Sequence, residues 1–127
     1  MLTSTIKNCI EGMANANSIA ARIGVQASEL KDLKDDAEAW EIESHYLAHL
    51  CTTVTLVASP EVIVLGGGVF RRKCLVPLIH RKTLALLNSY LKIDKILNHI
   101  DRYITLSVYG DDSGIMGALA LAKASLK

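Results

Sequence analysis

Glu61-Val62-Ile63-Val64-Leu65-Gly66-Gly67-Gly68-Val69-Phe70 is the stretch that decides the architecture. Val62 to Leu65 is an aliphatic run rich in β-branched residues, and it stops at consecutive glycines. A short run that is apolar on both faces predicts a central strand of a parallel sheet, because a strand with one wet face alternates. Pro60 closes the segment before it. From Asp36 to Ser59 the pattern predicts a long helix, with Trp40, Leu47, Leu50, Cys51, Val54, Val57 and Ala58 in one stripe. Its second half is apolar on most sides, which predicts burial. Beyond the glycines, Arg71 to Leu91 is helical in pattern, with Leu75, Leu78, Ile79, Leu84, Leu87 and Tyr90 on the apolar side. Pro77 is tolerated only near a first turn, so this helix should begin near Val76. Helix, buried strand, glycine loop and helix together predict an α/β layered fold of central strands flanked by helices, with any ligand at the glycine loop.

Working outward, Met13, Ala14, Ala16, Ile19, Ala20 and Ile23 recur at helical spacing and predict one helix over 10–23, stopped by Gly24. Val25 to Lys34 reads as a turn of helix within a loop, with Asp35 or Asp36 as N-cap of the long helix. Near the other end, Tyr103 to Tyr109 alternates like a strand, 110–114 is a turn, and Ile115 to Leu126 is a closing helix.

A length of 127 residues suits one domain. Half the residues are apolar and 21% are charged, which suggests a surface meant to be covered. The net charge of +1, with no evident dense patch of Lys and Arg, argues against nucleic acid or an anionic membrane as the main partner. Cys9, Cys51 and Cys74 are too scattered for a disulfide framework, and no charged segment precedes an apolar one at the start, so a reducing, cytoplasmic setting is expected. The apolar stretches at 46–58 and 115–122 fall short of the roughly 20 residues of a membrane span.

Several groups could carry chemistry. Gly66, Gly67 and Gly68 let backbone approach a phosphate or ribose, and the amides there supply donors. The stretch is neither a dinucleotide fingerprint, because Arg71 replaces the third glycine, nor a P-loop, because no Gly-Lys-Ser/Thr follows. A plain strand-to-helix turn is the competing reading. Further on, Gly114, Gly117 and Ala118 fall at i, i+3 and i+4 and leave one side of the closing helix bare, with Ser113 or Asp112 as its N-cap. Either a flat ligand or close packing against the sheet would use such a face. Cys9 and Glu11 stand at the start of the first helix, where a lone cysteine is usually a buried small hydrophobe and a lone glutamate a solvated partner of the helix dipole. His45 and His49 have the i, i+4 spacing of a metal pair without a third ligand nearby, and surface or core roles are expected of them.

Taken together, Cys9-Ile-Glu-Gly-Met-Ala, Ala39-Trp-Glu-Ile-Glu-Ser-His-Tyr-Leu-Ala, Ser59 to Phe70, and Gly110-Asp-Asp-Ser-Gly-Ile-Met-Gly-Ala resemble, in order and spacing, the C-terminal half of ROK-family sugar kinases, most closely the fructokinase branch. The resemblance covers essentially the whole chain, 1–127. It implies an actin-like, ribonuclease-H-like fold and an enzyme that transfers the γ-phosphate of Mg-ATP to a hexose hydroxyl. It assigns Gly66, Gly67, Gly68, Val69 and Phe70 to the nucleotide, and sets adenosine near the closing helix, against Gly110, Gly114 and Gly117. Glu11 matches the glutamate that binds sugar hydroxyls, and Cys9 the last ligand of a structural zinc cluster. The family's glycine-proline pair stands opposite Ala16-Asn17, so Asn17 is a nucleotide position where this chain departs from the pattern. The family's phosphate loop, catalytic aspartate and other zinc ligands belong upstream of Cys9. The expectation is therefore a nucleotide-binding lobe without its catalytic base, zinc only in the complete protein, and a homodimer. The competing function is a sugar- or nucleotide-sensing module of the same family that does not phosphorylate.

Overall fold

The computed structural model describes residues 9–126, with the side chain of Glu11 excepted. Two helices form its backbone, α3 (Glu38–Ala58) and α4 (Leu75–Leu87), packed along one another. Before them come the short α1 (Ile10–Met13), α2 (Ala16–Ile23) and a 3₁₀ turn at Ala27–Asp32. The strands β1 (Ile63–Leu65) and β2 (Ile104–Leu106) pair in parallel, with Ile63 opposite Ile104 and Leu65 opposite Leu106. A parallel pair needs a crossover, and α4 supplies it, followed by the single turns α5 (Asp94–Leu97) and α6 (Ile100–Tyr103). The last helix is α7 (Ser113–Ser125). The result is mostly helical around one β-α-β unit.

The core lies where α3 and α4 meet the sheet. Ile19, Trp40, Leu47, Cys51, Leu75, Ile79, Leu87, Ile96, Tyr103 and Ile104 are buried there. Each large aliphatic side chain so placed stabilises the fold by about 1.5 to 3 kcal/mol relative to exposure. Some of the polar groups that enter this core are paired within it, whereas the Glu43 carboxyl and the Thr83 hydroxyl have no hydrogen-bond partner among the described residues. Thr55 donates to the Cys51 carbonyl at 2.7 Å and receives the Tyr103 hydroxyl at 3.0 Å.

The structure corrects several expectations. The single helix over 10–23 is broken at Ala14 and Asn15, because the Asn15 side chain accepts from the Ser18 amide at 3.0 Å and caps a new helix, α2. Gly24 does stop α2, in the left-handed region at φ 73°. Neither Asp35 nor Asp36 caps α3. Ala37 stands at that position, and Asp35 is turned to Arg72 instead. The buried stripe of α3 is Trp40, Glu43, Ser44, Leu47, Ala48, Cys51 and Thr55, so its second half is covered on one side only and Val57 is 82% exposed. Tyr90 lies beyond α4, past the left-handed Asn88 and Ser89, and is exposed. The strand expected over 103–109 is shorter, since Tyr103 completes α6.

The largest difference concerns coverage. Among the described residues β1 pairs with β2 alone, so the central position expected of it is not seen there, and Val64 is 58% exposed. α7 has no buried residue, and Ile115, Leu119 and Leu121 are exposed along it. Their apolar character is genuine, but among the described residues no layer meets them. No helix among the described residues is long and apolar enough to cross a membrane.

Candidate functional site

The C-terminal ends of β1 and β2 open side by side. After Leu65, Gly67 adopts φ 101°, a conformation that side chains with a Cβ rarely take, and the chain turns at once into a 3₁₀ turn at Gly68–Arg71. That turn uses the Phe70 amide on the Gly67 carbonyl at 3.1 Å and the Arg72 amide on the Val69 carbonyl at 3.2 Å. The amides of Gly67, Gly68 and Val69 have no acceptor among the described residues. A Cβ built on Gly67 or Gly68 would meet nothing within 4 Å, so these glycines face open space and are not packed against a neighbour. Closely spaced donors on a backbone left bare at Gly67 and Gly68 can accept an anion.

The loop after β2 lies against this one. Ser107 donates its amide to the Leu65 carbonyl at 2.8 Å, and its hydroxyl sits 2.6 Å from that of Ser113. Arg71 joins Asp111 through two contacts, Nε to Oδ1 at 3.2 Å and Nη2 to Oδ2 at 2.6 Å. Hydrogen bonding to Arg71 holds the Asp111 carboxyl below the usual carboxylate range, and the same contact raises the guanidinium. Both side chains are exposed, so the pair is a geometric brace more than a source of stability. Between the two loops is a cavity of about 170 Å³, walled by Gly66, Gly67, Phe70, Arg71, Ser107 and Gly110.

On the other side of the 3₁₀ turn lies a cleft of about 630 Å³. Its floor is apolar, from Ile19, Leu30, Trp40 and Val69, and its rim is basic, from Lys31, Arg71, Arg72 and Lys73. One side chain ties its walls together. Arg72 reaches Asp35 Oδ1 at 2.9 Å and the carbonyls of Leu30 and Lys31 at 2.9 and 2.8 Å, and its guanidinium lies 5.0 Å from the Trp40 ring centroid. Trp40 in turn donates its indole N–H to the Lys34 carbonyl at 2.8 Å.

The residues singled out from the sequence are distributed unevenly. Gly66, Gly67, Phe70 and Gly110 share the small cavity, while Gly68 and Val69 line the large one. Asn17 is exposed on the first turn of α2, next to Ala16, which lines the large cleft. Gly114 and Gly117 lie on α7 outside both, and a Cβ on either would meet nothing, so neither serves close packing among the described residues. Glu11 is on α1, and its side chain lies outside those described. Cys9 caps α1, its sulfur accepting from the Gly12 amide at 3.4 Å. Among the described residues no group of three or more His, Cys, Asp or Glu could hold a metal ion. His45 and His49 are surface residues whose rings stack edge to face, 4.5 Å apart.

The basic rim was missed from the sequence, where no dense cationic patch was evident. Its signal is Arg71-Arg72-Lys73 directly after the glycine loop, to which the fold adds Lys31.

Comparison with known proteins bears on this site. A family model described as the ROK family matches residues 5–125. The chain is 36% identical over 119 residues to a fructokinase of Pediococcus pentosaceus, covering 94% of this chain and 39% of that protein. A fructokinase of Streptococcus mutans is 35% identical over 117 residues, with 92% and 38% covered. One of Zymomonas mobilis is 36% identical over 117 residues, with 92% and 37% covered. The chain thus spans about two-fifths of the length of the curated relatives it matches.

Proposed function

The chain belongs to the ROK family, and from that premise we propose that it is the nucleotide-holding part of an ATP-dependent hexose kinase of actin-like fold, with fructose as the acceptor. The observation that carries this reading is the open glycine loop at the end of β1, whose free amides stand between a basic-rimmed cleft and a second loop braced by Arg71 and Asp111. In this reading the amides of Gly67, Gly68 and Val69 take phosphate oxygens. Arg71 adds positive charge where phosphoryl charge develops. The apolar floor of the large cleft has the volume for a purine and ribose, with Trp40 and Leu30 below them and Asn17 near its edge. This position suits the base better than the α7 face at Gly114 and Gly117, which bounds neither cavity. The Mg²⁺ carried by ATP would screen the phosphate charge. Glu11, on α1, is the group suited to accept sugar hydroxyls.

Trp40 is the sole tryptophan and lines the cleft, so its fluorescence tests the reading directly. We expect a saturable change on adding Mg-ATP to the 127-residue chain, and no release of ADP when fructose is added, since no carboxylate in the site is assigned to deprotonate the sugar hydroxyl. In Gly67→Val, a β-branched residue would be forced to φ 101°, and the ATP response should weaken at least tenfold. A parent chain that shows no saturable response to ATP, or a Gly67→Val chain that binds as the parent does, would overturn the assignment of the loop.

A further inference from the structure

Away from both cavities, the least explained group is Glu43. Its side chain is fully buried on α3, and neither carboxyl oxygen has a hydrogen-bond partner among the described residues. A carboxyl at that depth is unfavourable unless something faces it. Arg22 of α2 does so, with Nη1 3.7 Å from Oε2. The same guanidinium donates through Nη2 to the carbonyl of Met13, the last residue of α1, at 3.0 Å, and rests 5.2 Å from the centroid of the Tyr46 ring. One side chain therefore touches α1 and α3 while rooted in α2.

The short helix α1 needs such a tie. Its backbone bonds run from the Met13 amide to the Cys9 carbonyl at 2.9 Å and from the Ala14 amide to the Ile10 carbonyl at 2.7 Å, far below the length at which a helix holds itself. Asn15 and Ser18 reach the Gly12 carbonyl and fix the corner between α1 and α2, but they leave the orientation of the pair on α3 to other contacts. We propose that Arg22 is a positioning residue: seated on the buried carboxyl of Glu43 and holding the last carbonyl of α1, it orients the helix that carries Cys9 and Glu11. The bearing of this clasp on sugar binding rests on the function proposed above, whereas the clasp itself does not.

Its grip depends on pH. Among the elements packed against α3, α2 brings Arg22; α4 brings Arg81 and Lys82, both engaged with Glu41, and His80, whose Nε2 meets the Ile104 carbonyl. α1 is flanked by Cys9 at its N-cap, and α3 itself adds Glu38, Glu41 and the exposed His45. Burial is the larger influence on Glu43 and favours its neutral form, raising its pKa to about 7, while Arg22 opposes that shift. An opening of α1 and α2 that lets water reach Glu43 thus becomes easier as pH rises, until the closed form has itself lost the proton.

Hydrogen exchange on the intact 127-residue chain tests this, with intrinsic rates divided out. Protection across 10–23 should fall about tenfold from pH 6 to pH 8, with most of the change below pH 7. Glu43→Gln should abolish that pH dependence. Arg22→Gln should lower protection at 10–14 at both pH values and leave 75–87 as in the parent. If Arg22→Gln unfolds the chain by stranding the carboxyl, the double variant with Glu43→Gln carries the same expectation without that charge. A Glu43→Gln chain that keeps the parent's pH dependence, or an Arg22 variant whose 10–14 segment is as protected as the parent's or is no more affected than α4, overturns the proposal. No sugar or nucleotide enters the measurement, so failure here leaves the kinase reading standing, and failure to bind ATP leaves the clasp standing.

Discussion

Glu43 shows how a single side chain can set the pH response of stability. Its carboxyl titrates near 7 in the folded chain against an ordinary value of 4.5, with burial the main cause. Between those values the folded chain keeps a proton that the unfolded chain has released. The contribution is therefore fully present below about pH 4.5 and declines as pH rises to about 7, a loss on the order of 3 kcal/mol. Glu41 and Asp111 act in the opposite sense, since their carboxyls are held low and favour the fold as they ionise. Comparing parent with Glu43→Gln by urea unfolding at pH 5 and pH 8 cancels those terms. The variant's advantage should grow with pH and be largest at pH 8. An advantage that is equal at both values would show that Glu43 keeps an ordinary pKa.

At the scale of elements, α4 and α7 look alike in sequence and differ in what surrounds them. Both are thirteen-residue helices of largely apolar sequence. α4 places Leu75, Ile79, Thr83 and Leu87 on one stripe against α3, so Ile79→Ala should cost about 2 to 5 kcal/mol in chemical unfolding. α7 meets chiefly the 3₁₀ turn at Gly110–Asp112, and a Cβ at Gly117 reaches open space. Gly117→Val should accordingly leave the melting temperature within a few degrees, or raise it slightly through helix propensity. A loss comparable to that of Ile79→Ala would mean that α7 packs far more closely than its exposure indicates.

For the whole molecule, the proposed nucleotide should act as a ligand of the folded state only. At a concentration of about 100 times its Kd, Mg-ATP should then stabilise the chain by about 2.7 kcal/mol, read as a rise in melting temperature that grows with ATP concentration. The apolar surface left on Val64, Ile115, Leu119 and Leu121 belongs to this scale too, because a chain spanning about two-fifths of its relatives presents faces that no described layer covers.

Local chemistry determined much of this protein from its sequence. The periodicity of α3 and α4, the stop at Pro60, the strand ending in glycines and the left-handed Gly24 are all legible, because each depends on residues within a few positions of one another. The break at Asn15 was available to the same logic and was outweighed by an apolar periodicity that continues through it. The basic cleft and the buried clasp were decided only in three dimensions. Lys31, Trp40 and Arg72 converge because α3 and α4 pack together and bring the 3₁₀ turn after β1 against the segment before α3. Glu43 reads as a surface charge within a helix until that packing removes it from water and sets Arg22 as its counterpart. Neither outcome follows from spacing, since the orientation of a helix about its own axis is settled by the surfaces it meets.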